Sequence, residues 1–243
     1  MSHDAFGLGQ MWNTYRDMED QFVNYLEYVP LTSDHKMVYS SKLLRLMLQL
    51  GGYVDTAFKE MAFCDNFDTV EGCLEIRKHA DKNKIISFDY YLKTFEPFYQ
   101  LSRKNVVVKA LGNFSYRPVL VDMVQPFKIE TKKITPKWWQ AYNGVKHDMI
   151  KNVRKANVEN TLSALGAAFL LNAVFEPSVI SLLKEDVATA HLYSDPKKKL
   201  FKCKKERAEE IITGERPSKY KLTVRVNSQL FICVSSFEPH DTL

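Results

Sequence analysis

His147 follows Asn143 by four residues, which puts the two on one face of a helix, one turn apart. An imidazole titrating near neutrality can carry a proton, and a carboxamide beside it can orient the ring or a phosphate oxygen. Lys146, Lys151 and Arg154 stand close by in sequence and supply positive charge. Metal-independent RNA cleavage asks for such a set. A group must move a proton from the ribose 2′-hydroxyl or to the leaving oxygen, and a cation must stand near the strained phosphate. His147 and Asn143 are therefore the candidate catalytic residues, and Lys146, Lys151 and Arg154 the candidate nucleic-acid contacts. The competing role for the same pair is structural: Asn143 and His147 would cap or cross-link neighbouring helices, because buried polar groups are usually satisfied. His3, His35, His79, His191 and His240 are scattered and share no comparable polar face.

The element that must position these groups opens at Thr135, a capping residue, and Pro136, which suits a first helical position. Trp138, Tyr142, Val145, Met149 and Val153 then recur at helical spacing as an apolar stripe. The adjoining face mixes Trp139, Asn143, Lys146, His147, Ile150 and Arg154, a combination that neither solvent nor core favours. The pattern predicts one helix from Pro136 through Arg154.

The run WWQAYNGVKHD, followed by an Ala/Leu-rich helix, resembles the signature helix of the HEPN-type all-helical domains of prokaryotic RNases, toxins and defence proteins. It is also similar to a group of uncharacterised bacterial helical proteins. The HEPN motif is an arginine–asparagine pair, three residues, then histidine. Asn143 and His147 fall in register, and Tyr142 stands where the arginine belongs. The resemblance implies a helical fold and a two-fold homodimer whose site forms where two copies of this helix meet. It further implies RNA, an antitoxin or another protein as partner. Tyr142 cannot replace a permanent cation and occupies a position on the apolar stripe. The reading that follows is a degenerate RNase site on a protein that binds nucleic acid or a partner. Two alternatives stand beside it: an active metal-independent endoribonuclease using His147 and Asn143, and a structural or regulatory helical dimer without a nucleic-acid role.

The rest of the chain reads as helices. Met11, Tyr15, Met18, Phe22, Leu26 and Val29 mark a first amphipathic helix ending before Pro30. A long second helix spans roughly His35 to Phe63, apolar on two sides, with Gly51 and Gly52 marking a close crossing or a kink. A short helix is expected over Thr69–Ala80, and another from a Ser87 cap that Pro97 stops. Asn157 to Phe175 is apolar nearly all round and should be the central buried helix. Pro177 begins one more. The expected fold class is mainly α: a helical bundle of four principal helices with a small C-terminal β-hairpin appendage. It forms one domain over residues 1–243. Residues 101–135 are an irregular insertion with a strand candidate at Asn105 to Leu111 and turn signals at Tyr116–Pro118 and Gln125–Phe127, and residues 195–243 a basic segment followed by a hairpin near 220–234.

Several function classes drop out. There is no phosphate loop, dinucleotide fingerprint, HExxH or paired Cys/His spacing, so no metal and no cofactor are expected. Four cysteines without CxxC spacing fit free thiols in a reducing compartment. The first residues lack a signal-peptide pattern, and the longest apolar run, near Leu165 to Val174, is too short to cross a bilayer. The expected setting is cytoplasmic, without a membrane partner. A net charge of +5 permits an anionic partner without requiring one.

Overall fold

The computed structural model describes residues 5–82, 84–109, 123–130, 135–194, 199–215, 218 and 221–237. Helix α7 (Val158–Val174) sits at its centre, with almost every side chain buried. It starts from Asn157, whose side chain accepts the Asn160 N–H at 3.0 Å. On one side α7 meets three helices, α1 (Ala5–Leu26), α2 (Ser41–Ala62) and α5 (Lys137–His147). On the other it meets a β-strand of a sheet. Helix α8 (Glu176–Lys184) follows after a bend, carrying Pro177 in its first turn.

The sheet has six strands, every pairing antiparallel, in the order β2-β1-β6-β5-β3-β4. The strands are β1 (Val106–Val108), β2 (Met123–Val124), β3 (Ala188–Ser194), β4 (Lys199–Lys202), β5 (Lys221–Asn227) and β6 (Phe231–Phe237). Leu222, Val224 and Val226 of β5 alternate inward, as do Phe231, Cys233 and Ser235 of β6. Ser235 Oγ donates to the Ala173 carbonyl at 2.7 Å and ties the sheet to α7. Helix α9 (Lys205–Ile212) packs on α8.

Helices, 3-10 turns included, occupy 62% of the described residues and strands 15%, so the class is mixed α/β and the expected helical bundle with a hairpin appendage is overturned. The hairpin forms, as β5 and β6, but it is the middle of the sheet. Its neighbours were hidden for physical reasons. Strand β3 reads Ala-Thr-Ala-His-Leu-Tyr-Ser, in which small alanines take the inward positions and give little hydrophobic alternation. Strand β1 falls inside the strand candidate at Asn105 to Leu111, whereas β2 is two residues long, too short to show a period. Both come from the 101–135 excursion, of which residues 110–122 and 131–134, including the Tyr116–Pro118 turn, lie outside the described residues.

Local differences have local causes. Helix α2 begins at Ser41, not His35, because Ser40 Oγ accepts the Leu43 N–H at 3.2 Å, while Ser33–His35 form a separate 3-10 turn. Helices α3 (Glu71–Asp81) and α4 (Phe88–Tyr99) follow. Pro97 does not stop α4, since its fixed φ is itself helical and only the last turn lies beyond it. Gln100, at φ 48°, ends the helix in the left-handed region. Aromatic side chains pack on one another in the core: Phe58 stacks on Tyr91 and Phe95, and Phe88 lies 4.0 Å, centroid to centroid, from Trp139. Among the described residues no single helix is long and apolar enough to cross a membrane.

Candidate functional site

Helix α5 presents the predicted residues, but it ends at His147. Asp148 leaves the helical region (φ −148°, ψ 86°), and its carboxylate accepts the Lys151 N–H at 3.1 Å to start the four-residue helix α6 (Met149–Asn152). A 3-10 turn over Val153–Lys155 then leads into α7. The expected continuous helix through Arg154 is therefore corrected to three short segments around a knuckle. Asn152 closes it, its Nδ2 donating to the carbonyls of Gly144 and Asp148, each at 2.9 Å. Gly144 is where the return segment comes closest: a Cβ there would stand 3.2 Å from Lys155 Nζ and 3.3 Å from Asn152 Cγ.

The break redistributes the two faces. Trp138, Trp139, Tyr142 and Val145 are buried, whereas Met149 and Ile150 are 48% and 91% exposed. Trp139 is thus covered within one chain, and Ile150 is not. Tyr142 points inward onto α2, with Lys146 Nζ 5.5 Å from its ring centroid. His147 is exposed in the last turn of α5, and Asn143 is half-buried one turn earlier. Beyond the backbone bonds of the helix itself, no side-chain hydrogen bond joins them to each other or to another described residue. A general base is positioned by its partners, and this pair is not held by any within the described chain.

What the knuckle does bring together is charge. Lys146, Lys151, Arg154 and Lys155 are all exposed, and none forms an ion pair among the described residues. Asp148 is the one carboxylate within the knuckle, and it is engaged as the α6 cap. Lys146 and His147 also lie at the negative end of the α5 dipole, which favours cations there irrespective of function.

A second strand of chain completes the surface. Tyr39 bridges to Asn157, and the N–H groups of Val158 and Glu159 donate to the carbonyls of Val38 and Lys36 at 3.0 Å each. This sets Tyr39 under Arg154, whose guanidinium lies 6.0 Å from the ring centroid. Exposed Lys36 and Met37 adjoin it. Lys155, Lys36 and Tyr39 were missed from sequence. Lys155 extends the basic run 151–155 and could have been found, but the Tyr39 segment is brought in only by the fold. Arg154, Lys151 and Lys146 share the knuckle with His147, although Arg154 is not on the same helix as Asn143.

No group of three or more His, Cys, Asp or Glu side chains that could hold a metal ion occurs among the described residues. No protein-family model, no curated protein and no solved structure matches this chain.

Proposed function

We propose that the chain is a nucleic-acid-binding protein that engages the phosphate backbone of RNA through the α5–α6 knuckle without cleaving it. The observation that supports this most is the set of four exposed cations, Lys146, Lys151, Arg154 and Lys155, gathered within ten residues without ion-pair partners among the described residues. Cations left free in this way can release counterions from a polyanion, which drives backbone binding of any sequence. Tyr39, part-exposed beneath Arg154, offers a ring on which a base can stack. Non-cleavage follows from Tyr142. In place of the arginine of the resembling motif stands a buried phenol packed on α2, so a phosphate held beside His147 would meet no motif cation.

The test is fluorescence anisotropy with a labelled single-stranded RNA of about twenty nucleotides, for the wild type and for Lys151→Gln/Arg154→Gln/Lys155→Gln. Three lost phosphate contacts should make the dependence of log K on log salt shallower by about 2, with weakening similar across RNA sequences. An unchanged salt slope in a variant that unfolds like the wild type overturns the proposal.

A further inference from the structure

The sheet has a second face. The side chains that alternate away from the helices belong to no interface among the described residues: Val107 is 42% exposed, Met123 55% and Val234 59%. The register joins them into rows. Met123, Val107 and Ile232 are cross-strand partners, and the next row runs Val234, Arg225, Thr189. A further row runs Ser236, Thr223, His191, Lys202. Tyr193, opposite Lys221, turns to the same side. The face therefore has an apolar half on β2, β1 and β6, and a polar, basic half on β5, β3 and β4.

None of the six strands contains an aspartate or a glutamate. Arg225 and Lys202 are exposed on the basic half, and Arg225 Nε donates only to the neutral Asn227 side chain, at 3.2 Å, among the described contacts. A chain with 29 acidic residues places none in these strands, so the charged side chains that they give this face are cations. Strands are about 4.8 Å apart, so β6 to β4 spans about 14 Å, room for a few nucleotides.

We propose that this open face is a second nucleic-acid surface, which takes single-stranded RNA with its bases against Val107, Val234 and Tyr193 and its phosphates against Arg225 and Lys202. Charge complementarity selects this occupant. A second copy docking through the same face would meet Arg225 and Lys202 with strands that carry no carboxylate to pair with them. A single strand satisfies both halves, because each nucleotide carries an apolar ring face and an anionic phosphate. The inference shares with the knuckle proposal only the class of ligand, and the two surfaces are separable by mutation.

The experiment uses the full chain with a 4-thiouridine-labelled oligouridine, photo-cross-linked and mapped by mass spectrometry, beside salt-dependent binding of Arg225→Gln/Lys202→Gln and of the knuckle triple variant. Cross-links on β3 or β6, with a salt slope shallower by about 1.4 for the sheet variant, are expected. Loss in the sheet variant with wild-type binding by the knuckle variant would support this surface and reject the knuckle. Cross-links confined to α5–α7, unaltered binding by a folded sheet variant, or no RNA binding by the wild type overturns the proposal. So does a concentration-dependent dimer that Val234→Asp abolishes, since the face would then belong to a second copy.

Discussion

The ring of Tyr142 lies directly on Gly51 of α2, so close that a Cβ at Gly51 would overlap the ring carbons. This contact brings α5 close against α2. Gly52, the next residue, has nothing within 4 Å of its would-be Cβ and is exposed.

The two glycines should therefore respond oppositely to alanine. Gly52→Ala should stabilise by up to about 1 kcal/mol through helix propensity. Gly51→Ala carries the same propensity gain but must displace Tyr142, and overpacking of about 1–3 kcal/mol should leave it less stable than wild type. Urea unfolding with unchanged m-values checks the pair. A stabilised Gly51→Ala would mean that Tyr142 is not fixed there.

Glu19 is buried at 2% exposure in α1, and it anchors the β5–β6 turn. Its Oε1 accepts from Tyr15 Oη at 2.8 Å, Ser228 Oγ at 2.5 Å and the Leu230 N–H at 2.8 Å, and its Oε2 accepts the Gln229 N–H at 3.0 Å. Glu19→Gln turns one acceptor into a donor facing donors and should cost about 2–3 kcal/mol. Asp17→Asn, on the exposed side of the same helix, should change stability by less than about 0.5 kcal/mol. Equal effects in thermal melts would show that the network contributes nothing.

The His147 side chain is exposed and makes no hydrogen bond among the described residues, so the structural cross-link considered for it predicts a loss that should not occur. His147→Ala is expected to leave stability within about 0.5 kcal/mol of wild type. On the proposed reading, neither protein cuts a broad RNA pool. Cleavage by the wild type that falls about 10²–10⁴-fold in the variant would restore the catalytic reading.

Burial pushes the Cys73 thiol up to about 11, and burial is also the main cause that raises Cys64, Cys203 and Cys233. Little thiolate is present in the folded chain at pH 8, so iodoacetamide should label it far more slowly there than in urea. The unfolded thiols ionise near 8.5 and the folded ones higher, so the unfolded state binds fewer protons in between. Stability is then fully present below about 8.5 and falls as pH rises from there towards 11. Melts at pH 7.5 and pH 10, on the wild type and on Cys73→Ala, check the sign: the drop should shrink in the variant.

Some of this was determined by sequence alone. The all-round apolarity of residues 158–174 leaves a helix no place but the centre, because any exposed face would set leucine, valine or phenylalanine in water. Alternation in Lys221–Val226 fixed a hairpin strand, because its period-two valines need one buried face. The candidate site was legible as a basic, histidine-bearing stretch, but its shape was not. Helical spacing through residue 154 is equally good with or without a break. The Asp148 cap, the Asn152 staple onto Gly144 and the approach of Lys155 decide it, and these are contacts made across the turn. Tertiary structure alone also made the sheet. Strand β3 has too little hydrophobic contrast to declare itself, β2 is too short, and the candidate at 105–111 gave β1 no partner. Each becomes a strand only when a neighbour satisfies its backbone groups, and those neighbours lie far along the chain, Val107 against Ile232 and Ala190 against Val224.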